Sequence, residues 1–413
     1  MLILGYQNGV FALYRCDGQE FDNLQVFSVA QEKISYLTVN GNGAWIAFAC
    51  KKSSQLMVWE WRSQTFILNQ KGSHYDVTCL NYSPDGNIIA VGTLDGKLKL
   101  WDTRSYFCFS TTQLHNSKVT DVVFSPANNT TVLTCSLDGT VIAFDCKRYR
   151  VFRTMTTDPK NQLLCLAVDQ SCDIVCAGGQ DPYSVYCWNL QTGHLVDVIA
   201  GHDAPVTCLA FSPTDATLVS GSWDKTVRVH NLLNRKTNDE ILDHQDKVAT
   251  LCYRSDGKQI AVSTTRGEVY MWNVEDGQIT GMLDVQRDLK GGRGEKDQQD
   301  AKNQFNQKFL KTMCYTVDGE WLIGGGASKN VCIYDLKHRV MVKKLILSSN
   351  LSLDGVNQLL NSKNIKDGMN VLEIDDASDE SDVSKDQDDL ILPGAKRPNY
   401  MKRNTKLRIE AKM

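Results

Sequence analysis

The chain has 413 residues, 42% of them hydrophobic and 23% charged, and its 45 Lys+Arg against 48 Asp+Glu leave a net charge of −3. That balance excludes a protein that coats nucleic acid through a uniformly basic surface, and the apolar fraction excludes a wholly disordered chain. No apolar run approaches the ~20 residues of a membrane span, and Met1-Leu-Ile-Leu-Gly5 lacks the basic flank and long apolar stretch of a secretory signal.

From the N-terminus onward, short alternating stretches such as Lys97-Leu-Lys-Leu-Trp101 are separated by Asp-Gly and Ser-Pro turns, the pattern of strands joined by tight hairpins. An aromatic residue or a histidine closes one strand of each unit, at Tyr14, Trp59, Trp101, Phe144, Trp188, His230, Trp272 and Tyr334. The intervals are 45, 42, 43, 44, 42, 42 and 62 residues, so only the last breaks the period. His74, His115, His202 and His244 keep the same phase, each shortly before a valine (Val77, Val119, Val206, Val248). A four-stranded antiparallel sheet of this length buries its faces only against neighbouring sheets. Stacked radially, such sheets must close into a ring.

These features resemble the WD40 repeat, most clearly in Gly201-His202 … Val206-Thr-Cys-Leu-Ala-Phe-Ser-Pro213 … Ser220-Gly-Ser-Trp-Asp224. The expectation is an all-β protein: a WD40 β-propeller over residues 1–347, with about seven complete blades and an N-terminal half blade. The complete units end at Trp59, Trp101, Phe144, Trp188, His230, Trp272 and Tyr334. The half unit, Met1–Tyr14, holds the last two strands of a blade. Val340–Leu347 has strand character and is a source for one of the strands that half blade lacks. The resemblance also implies a hydrogen-bonded network of His, turn Asp and strand-end Trp within each blade. It assigns structural roles to His115 with Asp138, to His202 with Asp224, and to Trp59, Trp101, Trp188 and Trp272. Where His230 and Tyr334 replace Trp, it implies a weaker network.

The in-phase histidines belong to different units and cannot converge on one ion, so no metal is expected. Gly178-Gly179 and Gly324-Gly-Gly326 read as hairpin turns, because no helix N-terminus follows to receive a phosphate. His194 and His338 fall between units, without an evident partner. None of the 14 cysteines forms a Cys-x-x-Cys pair. Cys79, Cys165, Cys208, Cys252 and Cys314 lie within apolar runs and read as reduced, buried, small hydrophobes. No nucleophile elbow or carboxylate pair stands out, so neither an enzyme nor a cofactor or small-molecule substrate is expected.

The surface carries more. Lys147, Arg148, Arg150 and Arg153 interleave with Tyr149 and Phe152, a composition suited to RNA or an acidic protein segment; the alternative is a solvated outer strand. A polar insertion occupies about 285–309 and is a docking arm or a disordered loop. Residues 348–413 form a C-terminal extension. It comprises a short amphipathic helix at 351–361 with Ser352 as N-cap, an acidic run at 373–389 with nine acids, and a basic tail. The acidic run reads as disordered. In the tail Lys396, Arg397, Lys402 and Arg403 are candidates for RNA phosphates or a nuclear import receptor.

Val58-Trp-Glu-Trp-Arg62, Phe144-Asp-Cys-Lys-Arg-Tyr-Arg-Val-Phe-Arg-Thr154, Ala177-Gly-Gly-Gln-Asp181, Gln191-Thr-Gly-His-Leu-Val-Asp-Val198, Asn350-Leu-Ser-Leu-Asp354 and Leu392-Pro-Gly394 together resemble the periodic tryptophan protein 2 family, in register over about residues 1–395. The resemblance implies a nucleolar, non-catalytic scaffold of the small-subunit processome. Its implied partners are other WD-repeat processome proteins, the box C/D small nucleolar RNA particle and pre-rRNA, contacted directly or through those proteins. No membrane is implied. Family members carry a propeller before this portion and a helical region after it, so the chain corresponds to a shortened relative or to part of a longer product. Two other functions of WD propellers stand as alternatives: a vesicle-coat scaffold, and a substrate-receptor adaptor in ubiquitin ligation.

Overall fold

The computed structural model describes residues 2–346 apart from short breaks at 7–8, 18–19, 29–33, 51–54, 72–75, 127–129, 233–239, 290–307 and 327–329, together with Ile365–Lys366 and Met369–Asn370. Turn-forming dipeptides cut the chain into strands of four to nine residues up to Ile346, and each strand pairs antiparallel with the next in its sheet. The result is an eight-bladed propeller: seven four-stranded sheets and one of three strands. The three-stranded first sheet is Leu2–Gly5, Val10–Asp17 and Glu20–Ser28, and the inner strands of sheets two to eight begin at Ile34, Val77, Val119, Gln162, Val206, Val248 and Leu310.

Two irregularities repeat around the ring. Register slips at the start of most inner strands, as between Val119 and Asp121 or Val206 and Cys208. It slips again just before the closing aromatic of the third strand, as at Leu100/Trp101, Ala143/Phe144 and Met271/Trp272. A bulge adds local twist, which turns each sheet from the hub to the rim. The middle strands are buried on both faces, while the outer strands alternate poorly and stay exposed, as in Arg150–Thr156 and Leu195–Ile199.

Apolar cores fill the spaces between successive sheets, one core to each gap. The eighth core closes the ring: Leu2, Leu4, Ala12 and Tyr14 of the first sheet pack on Ile323, Val331, Ile333 and Leu345 of the last. Closure is therefore made by face packing. Val340–Ile346 pairs with Asn330–Asp335 as the outer strand of the eighth sheet; it gives the first sheet a packing side chain, Leu345, and no strand. The half blade expected to hold two strands has a third, Glu20–Ser28, because the chain continues one strand beyond each closing aromatic before entering the next sheet.

The glycine runs expected as turns lie inside second strands, Ile174–Asp181 and Trp321–Gly326. A Cβ on Gly178 would come within 2.6 Å of Cys165 Sγ and 2.8 Å of Val206, and one on Gly324 would collide with the Leu310 side chain, so these glycines let inner strands pack closely. Among the described residues no helix is long and apolar enough to cross a membrane. The expected helix at 351–361, the acidic run, the basic tail and most of the insertion lie outside the described residues.

Candidate interaction surfaces

The frame behind the surfaces is a set of buried polar networks that differ from blade to blade. In the sixth sheet, His202 Nδ1 lies 2.7 Å from Asp224 Oδ2, its Nε2 lies 2.8 Å from Ser220 Oγ, and Ser220 Oγ lies 3.0 Å from His230 Nε2. The carboxylate fixes the tautomer: His202 donates from Nδ1 and accepts from the serine, which in turn accepts from His230. His230 thus takes over the donor role of the absent Trp. Burial pushes the His202 imidazole below its ordinary value despite the pull of Asp224, so it is neutral at pH 7. Burial would raise Asp224, yet hydrogen bonds from Thr226 and His202 hold its carboxyl below the usual range.

The fourth sheet replaces Trp with Phe144, and His115 there contacts Asp138 at 3.2 Å, Thr140 at 2.9 Å and Thr134 at 2.7 Å. In the seventh, Trp272 Nε1 donates to His244 Nε2 at 3.1 Å. In the eighth, the Tyr334 hydroxyl donates straight to Asp288 at 3.0 Å. The indole N–H groups of Trp59, Trp101 and Trp188 are buried and find no acceptor among the described residues. His74 lies outside the described residues. His338, expected without a partner, sits 2.7 Å from Asp335 in the turn between third and fourth strands, and His194 occupies the matching turn of the fifth sheet.

That turn builds the first surface. Four residues after the acid or amide that ends a third strand, the backbone turns left-handed at Gln64, Tyr106, Tyr149, Gly193, Gly277 and Arg339. Glycine fits there without strain; a bulky residue costs about 1 kcal/mol or more. Two neighbouring sheets nonetheless place tyrosines there, at φ 63° and 52°. Asp145 Oδ1 accepts the N–H groups of Lys147 and Arg148 at 2.9 and 3.3 Å and holds the turn that presents Tyr149. The Tyr149 ring meets Phe109 of the third sheet edge-on, centroids 5.7 Å apart, and remains 59% exposed. Phe107, next in sequence to Tyr106, is 69% exposed. Lys147, Arg148 and Arg150 are exposed as well, and Arg148 makes a loose 3.8 Å contact with Asp145. The rim of the third and fourth sheets is thus basic and aromatic.

The structure separates the members of the basic stretch. Arg153 donates from Nε and Nη2 to the Gln191 carbonyl at 3.0 and 2.7 Å, tying the fourth sheet to the fifth, and Phe152 packs on the core between them. Lys396, Arg397, Lys402 and Arg403 lie outside the described residues. Tyr106 and Phe107 escaped sequence reading because no basic residues interleave with them; their four-residue offset from Asp102, matching Tyr149 from Asp145, was the available signal.

At the hub, Asp121 Oδ2 accepts the Leu166 N–H of the next inner strand at 3.3 Å, while its Oδ1 accepts from Val122 at 2.9 Å. Burial pushes this carboxyl up to about 6, the two N–H groups offsetting part of the shift. Among the described residues the cysteines are free thiols. Cys314 is exposed, and Cys208 and Cys252 are half-buried, because inner strands turn one face to the channel. Among the described residues no group of three or more His, Cys, Asp or Glu is placed to hold a metal ion.

Models of the WD domain, G-beta repeat, match residues 64–102, 107–145 and 193–231, and the anaphase-promoting complex subunit 4 WD40 domain matches 240–290. The crystal structure of the computationally designed Ika8 protein aligns with a TM-score of 0.65 at 19% identity, covering 81% of this chain and 92% of that one, a likeness of fold alone. The chain is a WD40-repeat β-propeller protein. Over nearly its full length its homologues are named periodic tryptophan protein 2: those of Arabidopsis thaliana (38% identical over 97% of the chain), Saccharomyces cerevisiae (40% over 96%) and Schizosaccharomyces pombe (41% over 98%) are examples. The chain spans 43–47% of the length of these relatives.

Proposed function

We propose that this chain is a non-catalytic scaffold of ribosome biogenesis in the nucleus and nucleolus, holding processing proteins and the box C/D small nucleolar RNA particle on pre-rRNA. The observation that carries this reading is its 38–41% identity to periodic tryptophan protein 2 homologues across a complete ring of sheets. The chemistry agrees. A ring held by eight apolar cores is a rigid disc, its polar networks are engaged in the fold, and its uncommitted side chains lie on rim and turns. With a net charge of −3, protein contacts dominate and the rim of Tyr106, Phe107, Lys147, Arg148, Tyr149 and Arg150 provides the RNA-compatible patch. The test is affinity purification of the tagged chain from cells with quantified proteins and RNAs. Recovery of pre-rRNA processing factors and the small nucleolar particle is expected, weakened by Arg148→Glu with Arg150→Glu. Recovery of coat proteins or ubiquitin-ligase subunits in their place overturns the reading.

A further inference from the structure

The turn bearing Trp223 joins the second and third strands of the sixth sheet, and Lys247 and Phe309 immediately precede the inner strands of the seventh and eighth. Antiparallel alternation puts these positions on the face of the disc opposite the Tyr106 and Tyr149 turns. There they wall a concavity of about 400 Å³ together with Thr207, Ala249, Thr265 and Lys311. Three blades contribute to it, and among the described residues no carboxylate lines it.

Two features mark it as a place for a ligand of definite chemistry. Trp223 is 48% exposed, which leaves a large aromatic face in water on a turn whose Ser222, Asp224 and Thr226 already fulfil the structural roles. Neither ammonium group is neutralised by an acid among the described residues: the Lys247 Nζ lies over the Trp223 ring, 5.3 Å from its centre, where its charge stays uncompensated, and Lys311 is exposed. Asp246, the nearest acid in sequence, turns its carboxylate back onto the Lys247 N–H at 2.8 Å. An aromatic wall with cations at its edge favours an apolar side chain flanked by negative charge.

We infer that the concavity formed by Trp223, Phe309, Lys247 and Lys311 is a docking site for an acidic peptide segment of a partner protein, one apolar side chain of the segment entering between the two rings. This rests on the scaffold reading and names the chemistry of one partner contact. Charge complementarity decides between partner classes: a nucleic-acid strand would meet the ring faces but would need more cations than two lysines to neutralise its phosphates.

The test uses the full chain and a fluorescein-labelled peptide of alternating Asp and Glu with one central Leu, read by anisotropy. Lys247→Glu with Lys311→Glu is expected to weaken binding more than tenfold, Trp223→Ala about tenfold, and replacing the central Leu by Ser about tenfold. All three protein positions are at the surface, and an unchanged circular dichroism spectrum and Tm establish that the variants fold. Equal binding by wild type and variants, or equal binding of the Leu and Ser peptides, overturns the inference. The chain's own acids at 373–389 are tested by changing all nine to Asn or Gln. Unchanged affinity supports an external partner; a tenfold gain would mean that this run occupies the site and would overturn the assignment. Loss of this site with processing factors still co-purifying removes the docking inference alone, whereas peptide binding without those factors removes the scaffold reading alone.

Discussion

Asp121, on the inner strand of the fourth sheet, accepts the backbone N–H of Leu166 on the inner strand of the fifth, so a single carboxylate stitches two blades together at the hub. Burial raises its pKa to about 6 from an ordinary 3.8. The ionised form is therefore the costly one in the folded state. Its contribution to stability is fully present below pH 3.8 and is lost as pH rises through 6. Asp121→Asn removes the charge and keeps one of the two accepting oxygens. We expect the variant to be more stable than wild type by about 2 kcal/mol at pH 8, with the difference vanishing near pH 4. Denaturant titrations across that range measure it; a constant difference between the two proteins would refute the assignment.

Asp224 and His202 respond in the opposite sense. Asp224 is held below its usual range, so the stability it contributes is present above about pH 4 and is lost as pH falls further. His202 is held neutral, so its share fades as pH drops below 6.5. Asp224→Ala strands His202 Nδ1 and the Thr226 hydroxyl and should cost about 2 kcal/mol at pH 7. That cost should shrink only as pH falls progressively below about 4, and thermal melts stepped down from pH 7 through that range follow it.

The indoles offer a paired comparison. Trp272 donates to His244, whereas the buried Trp188 N–H has no acceptor among the described residues. Trp272→Phe should therefore destabilise the protein by about 1–2 kcal/mol more than Trp188→Phe. Equal losses would mean that packing alone decides both positions.

Ring closure depends on Leu4 of the first sheet and Ile333 of the last. Leu4→Ala is expected to cost about 2–4 kcal/mol. Hydrogen exchange should quicken in residues 2–28 and 310–346 and leave the fourth and fifth sheets protected. Uniform acceleration around the ring would show that closure is not a separable unit.

Thiol chemistry should follow position in the sheet. Burial pushes Cys79 up to about 12 and holds Cys176 well above the ordinary thiol value, with the Cys187 sulfur 2.8 Å away. Iodoacetamide at pH 8 should label Cys314, which is exposed on an inner strand, while leaving Cys79 and Cys176 untouched until the protein is unfolded. Peptide-level mass spectrometry gives the order, and native labelling of Cys176 at the Cys314 rate would contradict it.

Sheet count, strand order and the recurring His, Asp and Trp positions could be read from residues alone, because each depends on turns and alternation within some forty neighbours. The spacing from Tyr14 to Tyr334 therefore already determined a radial stack of sheets. Tertiary structure alone decided how the ring shuts, since Leu4 and Ile333 are brought together only by the other sheets between them. It also divided one basic stretch into a clamped Arg153 and an exposed, loosely held Arg148, and it assembled the Trp223 concavity from three blades. Periodicity records what each unit does for itself. What two units do for each other depends on which faces the closed ring places side by side.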